Sequence, residues 1–333
     1  MIHIDGSLGE GGGQILRTAL SFSALCGEAV TISNIRAGRE KPGLRPQHLT
    51  VVNALAAVCG AKVSGAAEGS GKVEFAPGKI KGGNYHFNVG TAGSVTLVLS
   101  ALLPALIKAD TPSNVVVSGG TDVEWSTPID YFANVTLPVL AKFGVDAKIN
   151  ILKRGYYPAG GGSVELRVKP STLSRIELSE RGKILGYYGI SHAHEELARY
   201  KVVERQAKSA RRALYDELGV EAKIQREYCK TQSLGSGVVL WVEAENTFLG
   251  GSCLGEKSLS SELVGAEAGG ELASAEKDGG ALDRYMADQI IPLLALAGGK
   301  AKVCEITPHA KTNAEVVRLF GYNTRIENRM MTA

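Results

Sequence analysis

Three times along the chain a glycine-containing loop leads into apolar residues at helical spacing, and each time a short strand-like stretch follows. The first loop is Gly9-Glu10-Gly11-Gly12-Gly13. It predicts a helix from about Gln14 to Cys26, a strand near Val30 to Ile35, a basic loop from Arg36 to Arg45, and a helix from about Gln47 to Cys59. The second loop, Gly90-Thr91-Ala92-Gly93, precedes a helix from Ser94 to about Lys108, a strand from Asn114 to Ser118, the loop Gly119-Gly120-Thr121-Asp122, and a helix starting near Pro128. The third begins at Asp278-Gly279-Gly280. There the pattern predicts a helix from about Leu282 to Leu296, a strand from Lys302 to Ile306, a loop holding Thr307-Pro308-His309, and a helix from Asn313 to Phe320. Alternation at Val73 to Phe75 and Val164 to Val168 adds strands, so each unit reads as a four-stranded sheet backed by two helices.

Different material separates the second and third units. Glu195 to Leu218 is a charged amphipathic helix ended by Gly219, and Val238 to Ala244 reads as a strand. The expected architecture is therefore α/β (α+β): a main domain over 1–183 and 276–333, and a smaller inserted α/β domain over 184–275. By pattern alone the insert is a solvated lid without chemistry.

Composition narrows the class. The chain has 333 residues, 44% hydrophobic and 21% charged, enough for about two domains. Its 41 glycines fall in short runs, as expected of loops where backbone must approach something closely. A net charge of +3 does not by itself point to nucleic acid, which is bound by local basic patches. Five scattered cysteines, odd in number and with no C-x-x-C pair, argue against a disulfide framework and a cysteine zinc site. The longest apolar run, Val95 to Ile107, is shorter than the roughly 20 residues needed to span a bilayer, and no basic-then-apolar leader opens the chain. The expectation is a soluble cytoplasmic protein with no membrane partner.

Several familiar motifs fail on spacing. Gly65 to Lys72 is one residue too long for a phosphate-binding P-loop and lacks the Ser or Thr after its lysine. Gly9 to Gln14 ends in Gln where a dinucleotide fingerprint needs glycine, and Glu276-Lys277-Asp278-Gly279 lacks the K-x-D-G spacing of a nucleotidyl lysine. His192-Ala193-His194, with no third ligand in view, reads as a surface pair at a helix start. The loop from Arg36 to Arg45 is more informative. Arg36, Arg39, Lys41 and Arg45 suit phosphate recognition, and they suit a solvated charge run equally well. Gln14 and Arg17 extend that surface from a helix whose N-terminus favours an anion. Glu10 can approach a metal or serve as a helix-start charge, and spacing favours the latter. His309 alone is an ordinary loop histidine.

Taken together, the stretches Gly6 to Arg17, Asn34 to Arg39, Lys41 to Leu44, Gln47-His48-Leu49, Gly90 to Ser94, Ser118 to Asp122, Tyr157 to Gly162, Tyr285 to Gln289, Pro308-His309 and Thr312-Asn313 resemble the RNA 3′-terminal phosphate cyclase family over essentially the whole chain. The resemblance implies three β-α-β-α-β-β units and an inserted α/β domain. It implies an ATP-dependent enzyme that converts an RNA 3′-phosphate to a 2′,3′-cyclic phosphodiester through a histidine-AMP and an RNA(3′)pp(5′)A intermediate. His309 would carry the adenylyl group and Glu10 would bind a divalent metal, Mg or Mn. Gln14, Arg17, Arg36, Arg39 and Gln47 would surround the phosphates and the RNA end. Pro128 and Phe132, with Arg284, Tyr285, Met286, Ala287 and Asp288, would form the adenosine pocket. Ser100 departs from the family's Gln at a nucleotide contact. The implied partners are ATP and RNA 3′-phosphate ends, and a homodimer is left open. Two other readings stand beside this one. A non-catalytic cyclase-like RNA-binding protein of ribosome assembly would not need the nucleophile, and an enolpyruvyl-transferase-like enzyme would need no adenylyl acceptor.

Overall fold

A computed structural model describes residues 1–333. The chain starts with β1 (Ile2–Asp5), α1 (Gly13–Cys26), β2 (Val30–Ser33), α2 (Pro46–Cys59), β3 (Lys62–Ser64) and β4 (Val73–Ala76). The strands form one sheet in the order β1-β2-β4-β3. β1 and β2 pair in parallel, which requires a crossover between them, and α1 supplies it. Both helices stop at a glycine in the left-handed region, Gly27 and Gly60, where a side chain would be strained.

β5 (Gly83–Asn88), α3 (Val95–Leu106) and β6 (Ser113–Gly119) follow. Next come α4 (Ile129–Tyr131), a π turn (Phe132–Thr136), α5 (Leu137–Ala141), β7 (Ala147–Lys153) and β8 (Gly162–Val168). This sheet runs β5-β6-β8-β7, the connectivity of the first. The helix expected to start near Pro128 is thus broken by a π turn, and Pro138 sits just after the break, where its missing N–H is tolerated. The strand over 83–88, which leads this sheet, was not expected from the pattern: none of its positions is fully buried, and only Tyr85 and Phe87 among its half-buried positions bring apolar surface to the core.

The third sheet begins before the insert. β9 (Ile176–Leu178) pairs in parallel with a strand that comes more than a hundred residues later. In between lie β10 (Ile184–His194), a 3₁₀ turn (Glu195–Tyr200), α6 (Val202–Leu218), β11 (Lys223–Cys229), β12 (Ser236–Ala244), β13 (Phe248–Leu254) and α7 (Ser261–Lys277). The four strands form a sheet in the order β11-β10-β12-β13. The chain then returns through α8 (Arg284–Ala297), β14 (Gly299–Lys302), α9 (Pro308–Leu319), β15 (Arg325–Glu327) and β16 (Met330–Thr332). The last sheet is ordered β15-β16-β14-β9, which read from β9 repeats the connectivity of the other two. The fold is α+β, with four four-stranded mixed sheets.

Two apolar cores hold these parts. The larger is continuous through the three sheets of like connectivity and includes Leu20, Phe22, Leu55, Leu99, Phe132, Leu166, Met286 and Ile290. The smaller joins α6 and α7 to the fourth sheet through Ala207, Leu214, Leu240, Leu249 and Leu272. Each such leucine, fully withdrawn from water, contributes about 2–3 kcal/mol.

Two local expectations are corrected. His192 and His194 are not a surface pair: both lie at the end of β10 and are buried, and only His194 stands at a helix start, its Nδ1 accepting from the Glu196 N–H at the head of the 3₁₀ turn. Burial pulls the His192 imidazolium down to about 3. The last helix starts at Pro308, not Asn313, so His309 lies in its first turn and not in a loop. The Thr307 side chain accepts from the Ala310 N–H and caps this helix, and Pro308 at N1 is preorganised for it.

Candidate active site

Helix α9 packs against both α1 and α8. The loop from Gly9 to Gly13 is held against α9. Gly9 adopts a φ of +55°, and a Cβ there would overlap the Thr312 hydroxyl. Gly13, at the start of α1, lies so close to His48 that a Cβ would overlap the imidazole. These two approaches place Glu10 beside the first turn of α9. His309 Nδ1 is 2.7 Å from Glu10 Oε2, with the two side chains 46% and 34% exposed, so the pair is reachable from solvent.

The same corner gathers further groups. Gln14 Nε2 donates to the His309 carbonyl at 3.1 Å, and Arg39 Nη2 donates to the Glu10 carbonyl at 3.3 Å. The Asp288 carboxylate on α8 accepts from the Thr307 hydroxyl, and Asn313 Nδ2 donates to the Asp288 carbonyl at 2.9 Å. Asn313 is held in turn by the Thr18 hydroxyl of α1 at 2.6 Å. Three helices are thereby cross-linked under His309 by side-chain hydrogen bonds.

Charge decides which groups are available. Burial lowers the His309 pKa; Glu10 opposes this, and Arg17 and Arg39 reinforce it. A neutral ring whose Nδ1–H donates to Glu10 leaves the lone pair on Nε2. Burial brings the Arg17 guanidinium down to about 10, and no protein group accepts a hydrogen bond from it. A half-buried cation without a partner is the arrangement expected of an anion site. Burial pushes the Asp288 carboxyl up to about 7, and Glu10 adds to the rise.

His48 was expected only as part of a matching stretch, yet it belongs to this corner. Its Nδ1 accepts from the Arg45 N–H at 3.1 Å, which leaves Nε2 as an N–H directed at Gly13. Burial, then Arg17, Arg36 and Arg45, bring its pKa down to about 3. Thr307 and Asn313 were likewise given no role from the sequence. The Thr-Pro start signal at 307–308 would have pointed to the former.

The remaining predicted residues are placed as follows. Arg36, with a φ of +55°, donates to the Lys41 and Gly43 carbonyls and so braces its own loop. Gln47 Oε1 accepts from the Ser94 N–H at 3.1 Å, tying α2 to the Gly90–Gly93 loop. Ser100 is half-buried in α3 and makes no side-chain hydrogen bond. Pro128 caps α4 and is buried, and Phe132 is fully buried in the π turn. On α8, Arg284 and Tyr285 share Glu271, with Arg284 Nη2 at 2.6 Å and the Tyr285 hydroxyl at 2.8 Å from Oε1. The Arg284 guanidinium stacks over the Tyr285 ring at 4.8 Å. Met286 and Ala287 face the core and present no side chain to solvent. Tyr285 and Asp288 are three residues apart and share one helix face, so the aromatic surface and the His309 corner are neighbours.

The sequence matches known proteins along nearly its whole length. Residues 8–326 match the family model described as RNA 3′-terminal phosphate cyclase. A protein of that name from Pyrococcus furiosus is 51% identical over 96% of this chain and 93% of its own length. Others of the same name from Staphylothermus marinus and Archaeoglobus fulgidus are 48% and 45% identical, covering 98% and 96% of this chain and 94% and 95% of their own. With the match spanning nearly every element described above, the chain belongs to the RNA 3′-terminal phosphate cyclase family.

Proposed function

We propose that this protein is an ATP-dependent RNA 3′-phosphate cyclase that works through a covalent adenylyl group on His309. The observation that carries the reading is the His309–Glu10 contact at the start of α9, facing the unpartnered Arg17. A phosphate monoester oxygen is a poor leaving group, so a 2′-hydroxyl cannot displace it unaided. His309 Nε2 attacks the α-phosphorus of ATP, a P–N bond forms, and pyrophosphate leaves. A 3′-phosphate oxygen of the RNA then attacks the same phosphorus, and the P–N bond breaks to return the imidazole. This gives RNA(3′)pp(5′)A. The 2′-oxygen attacks the 3′-phosphorus, the hydroxyl proton passes to solvent or a nearby base, and AMP leaves as the ring closes.

In this scheme the chain's own residues orient and neutralise. Glu10 fixes the tautomer of His309, while Arg17, Arg39, Gln14 and the His48 N–H surround the phosphates. Arg284, Tyr285 and Asp288 lie toward the nucleoside, with Pro128 and Phe132 behind them. A divalent metal fits the donor set, because Glu10 is a partly exposed carboxylate whose Oε1 is not engaged and Mg²⁺ takes one or two carboxylates besides phosphate oxygens. When bound, such an ion would supply charge neutralisation on the phosphates. The second apolar core supports reading 184–275 as an inserted domain, and a cytoplasmic location suits an enzyme whose cysteines are all free. No helix is long and apolar enough to cross a membrane.

The test is incubation with α-labelled ATP and Mg²⁺ or Mn²⁺, followed by mapping of acid-labile, base-stable label on the protein. Label on His309 is expected. Its absence, with RNA still bound, would favour a non-catalytic RNA-binding protein.

A further inference from the structure

We propose that Asp122, Asp130 and His192 form a second, structural metal site that fastens the sheet of β10–β13 to the second of the like-connected sheets, holding a divalent cation of the zinc type. The cluster is remote in sequence from Glu10 and His309 and does not depend on their assignment.

Three residues from separate segments converge there. Asp122 follows the glycine pair after β6, Asp130 lies in α4, and His192 is on β10. Their side chains are 0%, 5% and 0% exposed, and one ligand atom from each lies within 4.8 Å of the others. Two of those atoms, Asp122 Oδ1 and His192 Nε2, are buried without any hydrogen-bond partner. A buried polar atom left unpaired costs about 1–3 kcal/mol, so two facing each other require an explanation.

Their separation supplies it. Nε2 and Oδ1 are 3.5 Å apart, and Nε2 is 3.9 Å from Asp130 Oδ2. This is too long for a good hydrogen bond. Two ligands on a tetrahedral ion with bonds of roughly 2.0–2.1 Å lie about 3.4 Å apart, close to the 3.5 Å between Nε2 and Asp122 Oδ1, and Asp130 Oδ2 needs only a small inward shift from 3.9 Å.

The surroundings are those of a built site. The Tyr156 hydroxyl holds His192 Nδ1 at 2.8 Å and fixes the ring, as an outer partner of a ligating histidine does. The Thr121 hydroxyl donates to Asp122 Oδ2 at 2.7 Å, so Oδ1 is the oxygen left free. Gly237, paired with His192 across the sheet, keeps space open, because a Cβ there would come within 3.2 Å of Nε2. Arg154 bridges Asp130 at 2.6 Å, Asp122 at 3.5 Å and Glu227 at 3.0 Å. Three carboxylates therefore face one guanidinium, and the remaining negative charge suits a divalent cation. A site buried this deeply is filled during folding and not exchanged in turnover.

The experiment uses the full chain purified from zinc-supplemented medium, with metal measured by mass spectrometry after gel filtration. About one tightly held zinc per chain is expected in the wild type and in Glu10→Gln, against less than about a tenth in the Asp122→Asn/His192→Gln double variant. Replacement by Co²⁺ should give visible ligand-field absorption in the first two proteins alone. Because removing two buried groups can unfold the chain, the wild type is also refolded in zinc and in chelator. A thermal midpoint higher by several degrees in zinc is expected. Wild-type protein that carries no metal and refolds identically in both buffers would overturn the proposal, leaving an ion-pair network. Metal lost in Glu10→Gln but kept in the double variant would also overturn it.

Discussion

His309 Nδ1 and Glu10 Oε2 meet at 2.7 Å, joining the loop before α1 to the first turn of α9. In the proposed adenylyl transfer, this contact would let Glu10 hold a proton on Nδ1 and leave Nε2 as the nucleophile. His309→Ala should therefore abolish protein-bound AMP. Its side chain is nearly half exposed, so stability should change by no more than about 0.5 kcal/mol. Labelling with α-labelled ATP alongside thermal denaturation checks both. Normal labelling in the folded variant would remove His309 from the mechanism.

The arginines should separate into two groups. Arg17 has no protein acceptor and Arg39 only the Glu10 carbonyl, so both are free to meet a phosphate. Arg45 is paired with Glu68 at 3.3 Å on the surface, a bond worth about 0–1 kcal/mol. Arg17→Ala and Arg39→Ala should each lower cyclisation on the order of 100-fold, the usual effect of removing a donor to transition-state charge. Arg45→Ala should cost less than about fivefold. Equal losses at the three positions, in rates measured at saturating ATP, would mean a diffuse basic surface.

Asp283 should be a point of structural weakness. One oxygen accepts from the N–H groups of Tyr285 and Met286 and from the Tyr131 hydroxyl, and the other accepts from the Gly250 N–H of β13. It thus caps α8 and joins that helix to two other segments. Asp283→Ala leaves four buried donors unpaired, and a loss of about 3–5 kcal/mol is expected in urea denaturation. Tyr131→Phe removes one donor and should cost about 1–2 kcal/mol.

Acid stability should report on His48. The unfolded chain takes up this proton below about 6.5, whereas the folded imidazole resists it down to about 3. Falling pH therefore favours unfolding: the stabilisation is full above about 6.5 and is lost as pH drops toward 3. At pH 4.5 the difference amounts to about 2–3 kcal/mol. Asp288, raised to about 7, acts with the opposite sign and loses stability as pH rises from about 4 to 7. Denaturation of wild type and His48→Gln between pH 4 and 7 isolates the His48 contribution; parallel curves would show that the imidazole is not held neutral.

The elements legible in the sequence are those whose signals are local. Helices α1, α2, α3 and α8 fall within two residues of their expected ends, because apolar periodicity marks all four and a glycine stops α1, α2 and α8. Most of the strands escaped notice, β9 and β5 among them, and the strand expected from Lys302 to Ile306 lies earlier, as β14 (Gly299–Lys302). β9 has three residues and finds its partner only across the whole insert, and β5 brings only Tyr85 and Phe87 to the core. The residues of the His309 corner were named through the family resemblance, since spacing alone could not bring Glu10 to His309. What stayed hidden was His192. A histidine in the pair His-Ala-His carries no mark of burial, and Asp122 and Asp130 reach it only through tertiary packing.

Bond order in the reaction can be tested with a substrate that stops halfway. An oligonucleotide ending in 2′-deoxyribose 3′-phosphate still presents the phosphate oxygen that accepts AMP, but it lacks the 2′-hydroxyl that closes the ring. If AMP passes through His309, this end should be adenylylated and then accumulate as the 3′-pp-5′-A species. The matching RNA should run on to a phosphatase-resistant cyclic end and free AMP. Because both substrates share the first two transfers, the difference between them isolates the final attack and is indifferent to the Ser100 departure. Chromatography of both reactions after equal incubation reads the result. Cyclic RNA formed without ATP consumption, or a bound deoxy end that never receives AMP, would overturn the three-step scheme and leave the His309–Glu10 pair without its proposed task.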